Sequence, residues 1–185
     1  MEIVLVRHGK PEPSSTSLIT GYQIGDFARR YNALGISKTL PPPAAAFALA
    51  TTAGCVVSSD LKRSVESAQW LGSTRAIEID RDLREAGLPE SINLRLPLPP
   101  GAWVVVARVM WWLNLCRAEE SLTRTRARAV RATDRLAALA QRHGVVLVVG
   151  HGIFNRFIAA DLRRRGWSGP GILPRAYWTT ATFTF

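Results

Sequence analysis

The sequence predicts an α/β fold, and three observations carry that expectation. Residues 3–6 and 145–149 are aliphatic runs that each end in a histidine beside glycine, as Arg7-His8-Gly9 and Gly150-His151-Gly152. A third apolar run, residues 55–59, passes directly into a stretch with helical character, residues 60–71. Branched aliphatic runs of this kind suit strands covered on both faces of a sheet. In open α/β sheets reactive groups gather at the carboxyl ends of the strands, which is where both histidines stand. Gly9 frees the backbone to turn immediately after His8.

Between these landmarks the elements follow in order. Residues 11–25, rich in Pro, Ser and Thr, read as a loop over the first strand end, whose hydroxyls Ser14, Ser15, Thr16 and Ser17 could donate to an anion. A short helix is expected over 26–33, closed by Gly35, and a small-residue helix over 44–50 after the spacer Pro41-Pro42-Pro43. Ser59 or Asp60 is expected to cap the helix at 60–71, which places Lys62 and Arg63 in its first turn, where exposed amides favour an anion. Residues 76–79 form a third strand candidate, leading into the polar loop 82–89 that carries Glu85, and residues 91–100 read as irregular.

The most apolar stretch, 102–115, contains Trp103, Trp111 and Trp112 and is too short to span a membrane; Arg108 within it favours a core or lid helix over a membrane-surface one. Ser121 is a plausible cap for a long helix to about residue 142. On its helical wheel Arg124, Arg128, Arg131, Arg135 and Arg142 share one face, read as solvated, while Arg126 falls toward the apolar face and would snorkel or reach a buried acceptor. A helix over 153–164 and a last strand within 177–185 complete the chain.

Length and composition agree with a single domain over 1–185, able to bury a core without disulfides or a metal. The apolar fraction of 47% and mean hydropathy of +0.04 are ordinary for a globular chain, and the first residues lack the features of a secretory leader, so a cytoplasmic protein with no transmembrane segment is expected. Cys55 and Cys116 have no metal-ligand spacing and read as buried thiols. The net charge of +10 favours acidic partners, but only three of the 24 cations are lysines, and an arginine- and alanine-rich usage can follow from genomic base composition.

Two strand-end histidines, Arg7, Arg63 and a loop carboxylate form a chemically coherent set. A neutral imidazole can attack phosphorus and hold the phosphoryl group, which splits one difficult displacement into two easier ones. Arginines offer planar, permanently charged donors to the non-bridging oxygens. A carboxylic acid protonates the leaving oxygen and, once ionised, activates water. This chemistry needs no metal and no cofactor.

The segments 5–10 (LVRHGK), 58–68 (SSDLKRSVESA), 83–85 (LRE) and 149–152 (VGHG) resemble, in order and across essentially the whole chain, the histidine phosphatase superfamily, in its phosphoglycerate mutase-like branch. The resemblance implies a three-layer α/β/α sandwich with a mostly parallel central sheet. It implies that His8 is the phosphorylated nucleophile, that Arg7 and Arg63 are phosphate ligands, that His151 is a further phosphate contact and that Glu85 is the proton donor. It also implies a small phosphorylated substrate, with residues 88–120 as a lid insertion. The chain departs from sugar-phosphate members in carrying Lys10-Pro11-Glu12-Pro13 after the RHG triplet, and Leu88-Pro89 where relatives often have Glu-Gly. Lys10 adds a cation near the expected pocket and hints at a substrate with a second anionic group. Alternatives are a protein phosphohistidine phosphatase, a non-catalytic phosphate-binding module and a nucleic-acid binder using the arginine stripe, nucleic acid being the less favoured partner.

Overall fold

The computed structural model describes residues 1–13 and 17–185. Its sheet has five strands: β1 (Glu2–Arg7), β2 (Cys55–Ser58), β3 (Ile77–Ile79), β4 (Val145–Gly150) and β5 (Thr180–Thr184), arranged β3-β2-β4-β1-β5. The first four run parallel, and β5 closes the edge beside β1 in the antiparallel sense. The helices are α1 (Ile24–Ala33), α2 (Ala44–Thr52), α3 (Lys62–Trp70), α4 (Pro100–Trp112), α5 (Leu122–His143) and α6 (Gly152–Arg164).

Alternate strand residues serve opposite faces. Ile3, Leu5, Val57, Val146 and Val148 pack under α5 and α6 against Leu136, Leu139, Phe154 and Ile158. Val4, Val6, Val56, Leu147 and Val149 pack under α2 and α3 against Ala46, Ala50 and Ala68. Both faces are covered, which is why the central strands read as unbroken apolar runs rather than alternating ones. The expected three layers are therefore present. α1 and α4 lie outside them, joined by a separate cluster of Ile24, Ile92, Trp103 and Ala107, with the Trp103 indole donating to the Ile19 carbonyl.

Several local expectations are corrected. The helix at 60–71 begins at Lys62 with Leu61 as its cap residue, and neither Ser59 nor Asp60 caps it; the Ser59 hydroxyl instead takes the Leu61 N–H and faces His151. Gly35 does stand directly after the C-cap residue Leu34 of α1, and a Cβ there would stand 2.4 Å from the Glu66 carboxylate. Cys116 is only partly buried, whereas Cys55 is buried as expected. Ser14, Ser15 and Thr16 lie outside the described residues. Among the described residues no helix is long and apolar enough to cross a membrane.

The arginine stripe of α5 is not a uniformly solvated face. Arg131 pairs with Asp82, Arg135 with Glu78 and Asp80, and Arg128 with Glu120, so acidic residues around β3 and before α5 neutralise these three of its five arginines. The cation drawn inward is Arg128, not Arg126. Arg128 lies over the Phe154 ring, while Arg126 is exposed at the edge of the cavity described below.

Candidate active site

Strand register creates the first half of the site. β1 and β4 pair with Arg7 opposite Gly150, so the next residue on each strand is a histidine, and the His8 N–H donates to the Gly150 carbonyl at 3.0 Å. The two imidazoles lie with centroids 5.1 Å apart, both almost fully buried. His8 Nδ1 is 2.7 Å from the Gly9 carbonyl, an acceptor, so Nδ1 carries the proton and Nε2 presents a lone pair. Arg63 Nε donates to that Nε2 at 3.3 Å. Burial first, and then the charges of Arg63 and Arg7, lower the His8 pKa to about 3, which keeps the ring neutral and nucleophilic at ordinary pH. Gly9 is required by space as well as by the turn, since a Cβ there would sit 2.4 Å from the Trp178 ring.

The cations come from one strand end and a helix start. Arg63, in the first turn of α3, is 1% exposed and spends its terminal nitrogens on the Asn32 side chain and the Tyr31 carbonyl, lying over the Tyr31 ring. Arg7 lies 4.5 Å over the Tyr177 ring and donates to the Arg175 carbonyl. The Tyr31 hydroxyl, hydrogen-bonded to Tyr177, has its pKa pushed up to about 12, mainly by burial, and stays a protonated donor. His151 Nε2 is 2.9 Å from Ser59 Oγ, the hydroxyl that also accepts the Leu61 N–H. The His151 pKa is held well below 6.5 by burial and by His8 and the neighbouring arginines. His151 Nδ1 and Arg7 Nε are both buried without a partner among the described residues, and the Arg7 Nε–H is a donor that a bound oxyanion would satisfy.

The second half of the site is the Glu85 loop. Glu85 does not pair with its neighbour Arg84, which forks onto Asp60 at 2.5 and 2.7 Å. Its carboxylate instead accepts the N–H groups of Ala86, Ile153 and Phe154, the last two from the first turn of α6. Two arginines hold the loop from outside: Arg128 donates to the Asp82 and Arg84 carbonyls at 2.6 and 2.8 Å, and Arg108 of α4 to those of Ala86 and Gly87 at 2.6 and 2.9 Å.

Arg7, Arg63 and Glu85 line one cavity of about 1820 Å³; His8 and His151 are buried and are not part of its wall, His8 meeting it through Arg63 and His151 through His8. Of the residues the sequence singled out, these five come together. Lys10 does not: it is exposed, it is absent from the cavity wall, and its carbonyl is tied to the Ser37 N–H. Further cations line the cavity, Arg108, Arg128, Arg156 and Arg175 among them. Sequence reasoning missed Tyr31, Asn32 and Tyr177; only the four-residue spacing of Phe27 and Tyr31, whose rings stack at 5.9 Å, hinted at an aromatic face on α1.

Residues 3–179 match the family model of the histidine phosphatase superfamily, branch 1. Similar solved structures include the mycobacterial glucosyl-3-phosphoglycerate phosphatase, 23% identical over 98% of this chain and 89% of that one with a TM-score of 0.61. Another is YhfR of Bacillus stearothermophilus, 20% identical over 98% and 89% with a TM-score of 0.58. A third is the phosphoserine phosphatase of Entamoeba histolytica, 14% identical over 100% and 90% with a TM-score of 0.57. At these identities the likeness establishes a shared fold. No curated protein matches the sequence significantly.

Proposed function

The chain belongs to the histidine phosphatase superfamily, branch 1, and from that premise we propose that it hydrolyses phosphomonoesters through a phosphohistidine on His8. The observation that carries this reading is the polarity of the His8 ring, with its proton fixed on Nδ1 by the Gly9 carbonyl and its Nε2 lone pair left facing Arg63. His8 Nε2 attacks phosphorus, the N–P bond forms and the ester P–O bond breaks. Arg7, Arg63 and His151 take the charge on the non-bridging oxygens; donors preorganised in this way are each worth about 10²–10³ in rate. Glu85, entering protonated, gives its proton to the departing alkoxide. As a carboxylate it then takes a proton from water, whose oxygen attacks phosphorus while the N–P bond breaks, releasing inorganic phosphate and a neutral His8. The arginines supply the positive charge, so no step calls for a metal.

The whole chain acts as one domain in this reading, with α4 and its flanking segments as the lid. That arrangement supports a small phosphorylated substrate rather than a phosphohistidine on a folded protein. The pairing of Arg128, Arg131 and Arg135 with carboxylates likewise weakens the α5 stripe as a nucleic-acid surface.

The deciding test is brief incubation with an aryl phosphate, an alkaline quench and intact-mass measurement. An added phosphate that is acid-labile and absent from His8→Ala is the expected result. Turnover of the ester without any His8-dependent adduct would remove the phosphohistidine step.

A further inference from the structure

The cavity has a wall to which the hydrolytic steps give no role. Phe27 of α1, Val104, Val105, Val109 and Trp112 of α4, and Phe157 of α6 line it. α4 turns Trp103, Ala107 and Trp111 inward, all 3% exposed or less, yet leaves Val105, Val109 and Trp112 at 63%, 52% and 50%. The Trp112 and Phe157 rings stack with centroids 5.8 Å apart and planes 14° from parallel, forming a flat apolar surface. α4 has no hydroxyl, carboxamide or carboxylate side chain, and its one cation, Arg108, spends both terminal nitrogens on the Ala86 and Gly87 carbonyls. A polyol or amino-acid leaving group would find few partners on this helix, because recognition of hydroxyl and amino groups needs positioned polar atoms. Large apolar side chains gathered at a ligand cavity mark instead a site for apolar surface.

We infer that the preferred substrate is an amphiphilic phosphomonoester whose leaving alcohol carries an alkyl chain or ring system, seated against α4 while its phosphate lies between Arg7 and Arg63. This rests on the hydrolase reading and adds the class of leaving group to it. Complete burial of a methylene strengthens binding about fourfold, so partial burial of a chain of several carbons against this wall gives tenfold or more. The flat stacked pair suits a ring as well as a chain, since offset stacking adds to the area buried.

The test uses ethyl, butyl, hexyl and octyl phosphate below their aggregation limits, with glycerol 1-phosphate as the polar comparator. All leave as primary alkoxides of similar basicity, so proton donation contributes almost equally across the series. kcat/KM is expected to rise at least tenfold from ethyl to octyl, chiefly through KM, with glycerol 1-phosphate no better than ethyl phosphate. Val109→Asp flattens the series to within about twofold, and Val105→Asp, at the more exposed position, is the second variant should the first fold poorly. Calorimetric binding of the same phosphates to His8→Ala follows the same slope. Turnover with a flat series, or a preference for glycerol 1-phosphate over octyl phosphate, overturns the inference and leaves the hydrolase standing. A binding slope without turnover of any ester overturns the hydrolase and keeps the wall as a ligand site. A slope untouched by both aspartate variants places the chain elsewhere on the molecule and overturns the inference.

Discussion

The two halves of the site are held by different means. His8 and His151 follow directly from paired residues of β1 and β4, so the backbone ladder that makes the sheet also sets their separation. Glu85 stands on a loop with no ladder, its backbone held by Arg128 through Asp82 and Arg84 and by Arg108 through Ala86 and Gly87. A ladder fixes a side chain from within its own element. A guanidinium fork fixes it from another, so the acid is only as well placed as the helices that reach across to it. The imidazole half is thus built into the core, and the acid half depends on α4, α5 and the first turn of α6.

The largest effects should separate the halves by chemistry. His8→Ala is expected to lower turnover about 10⁴-fold or more for every ester, since it removes the ring that attacks phosphorus. Glu85→Gln should be selective instead. Alkyl phosphates, whose alkoxides need a proton, should lose about 10²–10⁴-fold, while p-nitrophenyl phosphate, whose leaving group departs without one, should lose far less in the step that forms the phosphoenzyme. Steady-state and single-turnover rates on the two ester types provide the check, and equal losses on both would strip Glu85 of its role as proton donor.

The same division decides what could be read from the sequence. The imidazole half was legible because its causes are local: an apolar run makes a buried strand, a strand end displays a residue, and the glycine beside His8 fits under Trp178. Residues 145–149 and 3–6 were expected as strands and are strands, and Arg63 falls in the first turn of a helix as anticipated. The acid half was legible only through the resemblance of its motif. Arg128 looked like one member of an outer stripe, because a wheel records which residues share a face and not what that face meets. Its acceptors are carbonyls some forty-five residues earlier in the chain, which no spacing rule connects to it. Lys10 shows a related limit: adjacency to His8 in sequence places it beyond the turn at Gly9, exposed and outside the cavity wall.

Protonation distinguishes the halves next. The buried His8 ring titrates near 3 when folded and near 6.5 when unfolded, so between those values the unfolded chain binds a proton that the folded one refuses. Stability is therefore full above about pH 6.5 and falls with pH by up to about 1.4 kcal/mol per unit, levelling off near 3. His151, shifted in the same direction, adds to the loss. Thermal unfolding of the native chain and of His8→Ala between pH 7 and 5 should show the shallower decline in the variant. Identical slopes would mean that the imidazole pair does not carry the linkage. The same shift keeps His8 unprotonated in the free enzyme, so kcat/KM should lack an acid limb near 6.5 arising from this residue.

The smallest expected effect is the one that tests the comparison itself. Arg108→Ala removes two donors from the Glu85 loop without touching either histidine. If its role were only to help the fold, every ester would suffer equally, through a smaller folded fraction. A positioning role predicts a loss of about tenfold in kcat on alkyl phosphates, with p-nitrophenyl phosphate close to native, because a displaced acid matters only where a proton must be delivered. Arg108→Lys, which keeps the charge but has no planar fork to span two carbonyls, should recover part of the loss. Arg128→Ala should repeat the pattern with an added stability cost of about 2 kcal/mol, since it also strands the largely buried Glu120 carboxylate. Were Arg108→Ala to slow both ester types alike while melting at the native temperature, the loop would be holding its own position, and the dependence of the acid half on α4 would have to be given up.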